Sequence, residues 1–96
     1  MNGEEIITFL KNNKNELENF GISKIGLFGS YSKNKENQNS DIDILVEFKK
    51  GRKTFDNYMD LKFYLEDTLR KKVDLVTDQN IKEELKSEIL RSVRYA

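Results

Sequence analysis

Residues 41–48 read Asp-Ile-Asp-Ile-Leu-Val-Glu-Phe, the stretch in which apolar residues alternate most clearly with other residues. Because successive side chains of a β-strand point to opposite faces, one face carries four apolar side chains, those of Ile42, Ile44, Val46 and Phe48. The other face carries the side chains of Asp41, Asp43, Leu45 and Glu47. The period of two predicts a strand over 41–48, the clearest in the chain.

Upstream of this strand, the pattern predicts a helix and a shorter strand. Apolar residues recur about once per helical turn over 3–19, and Gly21 stands where such a helix would end. Residues 24–28 form a short apolar run that Gly29 closes, which is typical of a buried strand. Segment 31–40 holds no aliphatic residue, so we expect an exposed loop or a short helix followed by a loop.

Downstream of the strand, the pattern predicts two helices and one more strand. The successive segments are a basic turn at 49–53, a helix over 54–70, a strand over 72–77 and a helix over 80–94. Asp78 or Asn80 is the expected cap of the last helix. The order αββαβα predicts an α/β (α+β) fold, in which helices flank a small mixed β-sheet within a single domain, 1–96.

The chain has 96 residues and contains neither Cys nor His. Without cysteine there is no disulfide, thiolate nucleophile or thiolate metal site, and without histidine there is no imidazole ligand or base. Any metal must therefore be held by oxygen ligands, which suit hard cations such as Mg²⁺, Mn²⁺ or Ca²⁺.

Charge and hydropathy indicate the expected location of the protein and the kinds of partner it is expected to lack. Lys and Arg number 17, as do Asp and Glu, and the resulting net charge of zero argues against a general basic surface for nucleic acid. No apolar run approaches the roughly 20 residues that cross a bilayer, and the early Glu4 and Glu5 are unlike a signal peptide. We expect a cytoplasmic protein with no membrane contact and no direct nucleic-acid binding.

Asp41 and Asp43 are two carboxylates at i and i+2 on one strand, so they point the same way. At a separation of about 6 Å they would repel by roughly 3 kcal/mol at an effective dielectric near 20. A divalent cation between them would offset that repulsion, and Mg²⁺ is commonly held by one or two carboxylates together with substrate phosphates. The alternative interpretation is a solvated strand face without a ligand.

Gly29 and Ser30 follow the preceding strand, with residues 31–40 between them and Asp41. A Gly-Ser pair at a strand end can bring backbone N–H groups and a hydroxyl close to a phosphate, because glycine permits the close approach. Alone, the pair is an ordinary turn. One strand away from a carboxylate pair, it predicts a triphosphate site.

The combined pattern resembles the minimal nucleotidyltransferases (MNT), which are small members of the DNA polymerase β superfamily. The matching residues are the apolar strand Ile-Gly-Leu-Phe at 25–28, Gly29 and Ser30, Asp-Ile-Asp at 41–43 and Val-Asp-Leu-Val at 73–76. The resemblance covers essentially the whole chain and implies the polymerase β-like nucleotidyltransferase fold.

Carried over residue by residue, the resemblance assigns roles to five positions. Gly29 and Ser30 correspond to the family's phosphate-contacting pair, and Asp41 and Asp43 to its metal ligands. Asp74 corresponds to the third carboxylate, which bridges the metal or takes the proton from the attacking hydroxyl. On the predicted strand, Asp74 lies opposite the apolar face, and its alternative interpretation is an exposed strand residue.

The chain departs from the family pattern Gly-Ser-Arg-Ala-Arg-Gly after Ser30. Tyr31 stands where many members have Arg, so a phosphate contact from that position is lost. Asn34 replaces the second Gly, and since Asn tolerates left-handed backbone we expect the turn to be kept. Lys33 is a candidate replacement for the lost phosphate contact, with a solvated Lys as the alternative.

The resemblance also implies a reaction, in which a metal-dependent nucleotidyltransferase moves AMP from ATP to a hydroxyl and uses Mg²⁺ or Mn²⁺. Small family members are often antitoxins of HEPN-domain ribonuclease toxins, and the acceptor is then a tyrosine hydroxyl of the toxin. The expected partners are a HEPN toxin in a hetero-oligomer and a nucleoside triphosphate, and a homodimer is a further assembly to consider. Two alternatives stay open: a non-catalytic antitoxin that masks its toxin, and a transferase for a small molecule.

Overall fold

Four strands and five α-helices make up the chain, which the computed structural model describes from Met1 to Ala96. The helices are α1 (Gly3–Asn12), α2 (Lys14–Glu18), α3 (Gly29–Ser32), α4 (Phe55–Leu69) and α5 (Glu83–Ser92). The strands are β1 (Ile22–Phe28), β2 (Ile42–Phe48), β3 (Val73–Thr77) and β4 (Arg94–Tyr95), and a 3₁₀ turn spans Asp78–Asn80.

The strands form one mixed sheet in the order β3-β2-β1-β4. β1 pairs antiparallel with both β2 and β4, whereas β2 and β3 run parallel. The parallel pair needs a crossover connection, and α4 supplies it. The predicted small mixed sheet with flanking helices is therefore confirmed.

One face of the sheet carries the hydrophobic core. Ile42, Ile44 and Val46 of β2 are fully buried there, as their alternation predicted, and Phe48 packs at the margin. The helices α1, α2 and α4 cover this face with aliphatic side chains, namely Ile6, Ile7, Leu10, Leu17, Leu61, Leu65 and Leu69. Burial of these side chains is the main stabilising contribution to the fold.

The opposite face of the sheet is only partly covered. Paired strand residues share a face, so Phe28 lies beside Asp43, and Gly26 lies beside Leu45. Val93, which follows α5, closes on Gly26, since a Cβ added there would lie 2.7 Å from a Val93 methyl carbon. α5 itself contains no buried residue. This side, which we call the open face, therefore has the C-terminal segment at one margin.

The predicted first helix over 3–19 is wrong in one respect, because it is two helices that meet at Asn13. The Asn13 side-chain amide donates to the carbonyl of Phe9 at 2.8 Å, a local bond that competes with helix continuation. The start is better defined than predicted: Asn2 and Glu5 form a reciprocal capping box. Gly21, with φ +84°, ends the segment as expected.

The predicted last helix over 80–94 is too long at both ends. The proposed caps Asp78 and Asn80 belong to the 3₁₀ turn instead, and α5 begins after Lys82 without a side-chain cap. β4 was not predicted, because two residues carry no detectable alternation and its pairing with Gly26 and Leu27 is a tertiary contact.

The helix α4 presents aromatic side chains on its surface. Phe55 is 78% exposed and Phe63 is 57% exposed, whereas Tyr58 and Tyr64 are partly buried against the core. Neither α4 nor any other helix combines the length and apolar character needed to cross a membrane.

Candidate active site

Three carboxylates meet at one end of the open face. Asp43 lies directly opposite Asp74 in the parallel β2–β3 pairing, so the two side chains point to the same side. Asp41 precedes β2 and lies two residues before Asp43. Asp41 and Asp74 are exposed, while Asp43 is half-buried between them. All three sequence-predicted carboxylates thus come together, although Asp74 is distant from the others along the chain.

The charges of this group act on Asp43. The pKa of the Asp43 carboxyl is raised from 3.8 to about 6, mainly by burial and in smaller part by the nearby carboxylates of Asp74 and then Asp41. Like charges held this close are costly without a counter-charge. A carboxyl whose pKa is raised by burial and by neighbouring like charges is typical of functional sites.

Gly29 lies against Asp43 from the neighbouring strand. Its φ is +74°, and a Cβ placed on it would lie 2.1 Å from Asp43 Oδ2. Any side chain at this position would therefore collide with the carboxylate as well as strain the backbone. Gly29 begins α3 and Ser30 follows it, half-buried, so both predicted phosphate-contacting residues lie beside the carboxylate group.

Lys33, the candidate replacement for a phosphate-binding Arg, is turned toward α5. Its Nζ lies 3.8 Å from Glu88 Oε1, and both side chains are substantially exposed. A second link joins the same elements, because the Ser32 hydroxyl donates to the carbonyl of Ser92. The Lys33 ammonium group therefore lies at the edge of the site, in a surface ion pair that contributes little stability by itself.

The two departures from the family pattern have structural explanations. Tyr31 is 1% exposed and belongs to the hydrophobic core, so the aromatic ring replaces a surface cation with packing. Asn34 has φ +58°, which confirms that Asn keeps the left-handed turn. The loop between α3 and β2 therefore retains its turn without the second glycine.

Two residues that the sequence did not assign to the site hold the strand ends in place. The Tyr58 hydroxyl donates to the carbonyl of Leu75 at 2.5 Å, next to Asp74. The pKa of this hydroxyl is raised, mainly by burial and further by the charge of Asp74. Lys71 Nζ donates to the carbonyls of Gln38 at 2.9 Å and Ser40 at 3.4 Å, fixing the loop that leads into Asp41. No sequence signal marks either residue, because both act through contacts with distant segments.

The donor set fits a hard cation. It consists of carboxylate oxygens alone, which Mg²⁺ and Mn²⁺ prefer, and it carries the uncompensated repulsion described above. As they lie in this structure, the three carboxylates do not form a group that could hold a metal ion by itself. Magnesium sites of this kind take their remaining ligands from water and from substrate phosphates.

Comparison with known proteins places this arrangement in a family. The family model described as "Polymerase beta, Nucleotidyltransferase" matches residues 4–95. The chain is 40% identical over 93 residues to the protein adenylyltransferase MntA of Thermococcus cleftensis, covering 96% of this chain and 93% of that protein.

Solved structures agree with the sequence comparison. The fold is similar to that of a protein provisionally described as a minimal nucleotidyltransferase, with a TM-score of 0.83, 28% identity, and coverage of 98% of this chain and 95% of that one. It is also similar to a chain of a toxin–antitoxin complex with AMP-PNP, with a TM-score of 0.69, 28% identity, and coverage of 99% and 72%. The match over residues 4–95, the 40% identity and the shared fold together show that this chain belongs to the polymerase beta family of nucleotidyltransferases.

Proposed function

We propose that this protein is an antitoxin that transfers AMP from ATP to a tyrosine hydroxyl of a cognate HEPN-domain toxin and so neutralises it. The observation that carries the proposal is the meeting of Asp41, Asp43 and Asp74 beside Gly29 at one end of the open face. The 40% identity to a protein adenylyltransferase and the likeness to a toxin–antitoxin complex support the class of reaction and of partner.

In the proposed reaction, the tyrosine oxygen of the toxin attacks the α-phosphorus of ATP. A new P–O bond forms, the bond between the α-phosphorus and the oxygen that bridges it to the β-phosphorus breaks, and pyrophosphate leaves. Asp74 accepts the proton of the attacking hydroxyl, since it is exposed and stands beside Asp43. Gly29 and Ser30 hold the phosphates through backbone N–H groups and the hydroxyl.

Asp41 and Asp43, with Asp74, are the proposed ligands of Mg²⁺ or Mn²⁺. Such a cation, when bound, neutralises the charge of the triphosphate and of the departing pyrophosphate. The carboxylates in turn lose their mutual repulsion, which burial and like charge make costly at Asp43.

The acceptor is proposed to arrive on another protein because the open face provides little of its own to hold one. The carboxylate end of this face leaves Asp41 and Asp74 exposed, and α5 lies at its margin without a buried residue. A partner that covers this end of the sheet would deliver its hydroxyl directly to Asp74.

The direct test is transfer of label from α-labelled ATP to the purified toxin in the presence of Mg²⁺. We expect label on the toxin and protection of cells that express it. Asp43→Asn should lower transfer by on the order of 10²-fold or more, because charge stabilisation at the reacting phosphate is lost. Asp67→Asn, which removes an exposed carboxylate on α4, should leave the rate unchanged.

The competing masking function gives a different result in the same experiment. If cells expressing Asp43→Asn remain fully protected and no label reaches the toxin, the protein neutralises its partner by covering it. Label transferred equally well by both variants would instead show that the carboxylate group is not the active site.

A further inference from the structure

A cleft of about 230 Å³ lies at the start of α4, where the basic turn at 49–53 leads into the helix. Its walls come from the end of this turn, the first turns of α4, the end of β3 and the 3₁₀ turn, namely Lys53, Thr54, Phe55, Tyr58, Thr77 and Asn80. Thr77 is the only buried residue among them, so it forms the floor of the cleft. The cleft thus has a threonine at its floor and more exposed residues around its mouth.

The cleft and the carboxylate group lie at opposite ends of the sheet. β2 and β3 run parallel, with Asp43 and Asp74 near their starts, whereas Thr77 is the last residue of β3. Three residues of strand separate Asp74 from Thr77, a distance of about 10 Å. The faces differ as well, because Thr77 is buried on the core side with Val73 and Leu75, and Asp74 is exposed on the open face. The cleft is therefore not part of the candidate active site.

The hydroxyl of Thr77 has no hydrogen-bond partner within the protein. The residue is 1% exposed, and its Oγ1 is shielded from solvent. A hydroxyl that leaves water without gaining a partner costs free energy, so buried hydroxyls in folded proteins are nearly always paired. A ligand at the floor of the cleft that accepts the proton of this hydroxyl would supply the missing hydrogen bond.

The first turn of α4 provides unpaired backbone donors. The Thr54 side chain caps the helix by accepting from the backbone N–H of Asn57. The N–H groups of Phe55 and Asp56 have no partner within the protein. Because α4 has 15 residues, its N-terminus also carries the positive end of a substantial helix dipole. Free N–H groups at a positive helix end favour a bound anion.

The basic turn adds positive charge that the protein does not neutralise. Its cations are exposed, and neither ion pair of the chain includes any of them, namely Lys49, Lys50, Arg52 and Lys53. The Lys53 ammonium group donates to Gln79 Oε1 at 3.0 Å, which holds it at the 3₁₀ turn and leaves two donors free. Asp56 and Asp78 are exposed and do not line the cleft. The wall therefore contains a cation and no carboxylate.

We propose that this cleft is a second anion site, which binds a phosphate group through Lys53, the backbone N–H groups of Phe55 and Asp56, and the Thr77 hydroxyl. Its volume of about 230 Å³ accommodates inorganic phosphate or the phosphate group of a small monoester. The Phe55 ring, 78% exposed, offers an apolar surface to the organic group of such a monoester. The inference does not depend on the proposed function, because the two sites share no residue.

Titration of inorganic phosphate into the isotope-labelled protein, followed by NMR in metal-free buffer, tests the site directly. Without a divalent cation, the negative charge of the carboxylate group repels phosphate from the candidate active site. We expect the amide signals of Phe55 and Asp56 to shift in a saturable manner, and those of Gly29 and Ser30 to stay in place. Signals of Phe55 and Asp56 that do not respond to millimolar phosphate would overturn the proposal.

Two lysine variants separate a defined site from diffuse attraction to the basic turn. Lys53→Gln should weaken phosphate binding about tenfold, since a charge-assisted hydrogen bond is lost. Lys50→Gln changes the same turn outside the cleft and should weaken binding less than about twofold, because an exposed charge is screened at physiological salt. Equal weakening by the two variants would show that no defined site exists.

Substitutions at Thr77 test the floor of the cleft. Thr77→Val removes the hydroxyl at similar size and should weaken phosphate binding about tenfold, whereas Thr77→Ser keeps the hydroxyl and should bind within about threefold of the wild type. Full phosphate affinity in Thr77→Val would contradict the assigned role of the hydroxyl. If circular dichroism shows that Thr77→Val is misfolded, the exposed pair Lys53→Gln and Lys50→Gln decides alone.

Phenyl phosphate distinguishes the two sources of the phosphate group. If it binds about fivefold or more tighter than inorganic phosphate, and Phe55→Ser removes this gain, the ligand is a phosphate monoester that carries an apolar ring. If it binds no tighter, the ligand is inorganic phosphate. Binding of phenyl phosphate that leaves the Phe55 and Asp56 amide signals unchanged would place it elsewhere and contradict the site.

Discussion

Among single residues, Asp43 shows how a site residue acts on stability. Its pKa is raised to about 6, so the folded state favours the protonated carboxyl. The resulting stabilisation is fully present below the unfolded pKa of about 3.8 and is lost as the pH rises through about 6. Above that range, the ionised Asp43 opposes folding unless a counter-charge is bound.

Asp43→Asn should therefore raise the midpoint of thermal unfolding at pH 7.5 in metal-free buffer and change it little at pH 3.5. The reason is that a neutral amide avoids the cost of an ionised Asp43, which comes mainly from burial and in smaller part from the charges of Asp74 and Asp41, and this cost arises only as the pH rises toward the raised pKa of Asp43. Thermal unfolding followed by circular dichroism at both pH values checks this, with Asp67→Asn as the control. A lower unfolding midpoint of Asp43→Asn at pH 7.5 would contradict the claim that the ionised Asp43 carboxylate opposes folding.

Gly29 can be separated from ordinary turn glycines by a matched pair of substitutions. Gly51 has nearly the same φ, +78° against +74°, but an added Cβ there meets nothing within 4 Å. Gly51→Ala should cost about 1–2 kcal/mol through backbone strain alone. Gly29→Ala should cost more and abolish transfer, because its Cβ collides with the Asp43 carboxylate. Equal free energies of unfolding in urea for the two variants would rule out that contact.

At the scale of secondary-structure elements, α4 ends in a strained position. Arg70 caps its C-terminus with φ +58°, a left-handed conformation that glycine adopts without cost. Arg70→Gly should therefore stabilise the protein by about 0.5–1 kcal/mol, measured by urea unfolding. Asn34→Gly, at the same φ, should gain less, because Asn tolerates this conformation better. If Arg70→Gly lowered the free energy of unfolding instead, the Arg70 side chain would contribute more to stability than its left-handed backbone costs.

A hydrogen bond connects α4 to β3. Tyr58→Phe removes the hydrogen bond to the carbonyl of Leu75, beside Asp74, and should cost about 1 kcal/mol. It should also lower the transfer rate without changing nucleotide affinity, since Tyr58 positions the strand and touches no substrate. Tyr64→Phe is the control, because its ring packs against Phe20 on the core side. If Tyr58→Phe changed neither the free energy of unfolding nor the transfer rate, Tyr58 would have no role in positioning β3.

In the molecule as a whole, the sheet separates the hydrophobic core on one face from the carboxylate group on the open face. Phe63 is 57% exposed on the outer surface of α4, whereas Leu65, two residues later, is fully buried. Phe63→Ser should change the free energy of unfolding by less than about 0.5 kcal/mol, and Leu65→Ala should cost about 2–5 kcal/mol. Denaturant unfolding measures both, and a large effect of Phe63→Ser would mean that its ring is part of the core.

The amino-acid sequence was sufficient to predict the two-faced β2, the mixed sheet between helices and, with the family resemblance, the candidate residues of the site. It could do so because residue alternation, helical periodicity and the Gly29-Ser30 and Asp41-Asp43 spacing are local properties of the chain. It did not show the break at Asn13, the short β4 or the start of α5, where single side-chain bonds and long-range pairing overrule the periodicity.

The surroundings of each candidate site residue depend on the tertiary structure. It set Asp74 opposite Asp43, buried Tyr31 in the core and paired Lys33 with Glu88. These facts depend on contacts between segments that are far apart in the chain. Strand register and helix placement minimise the free energy of the whole molecule, and no local pattern encodes them.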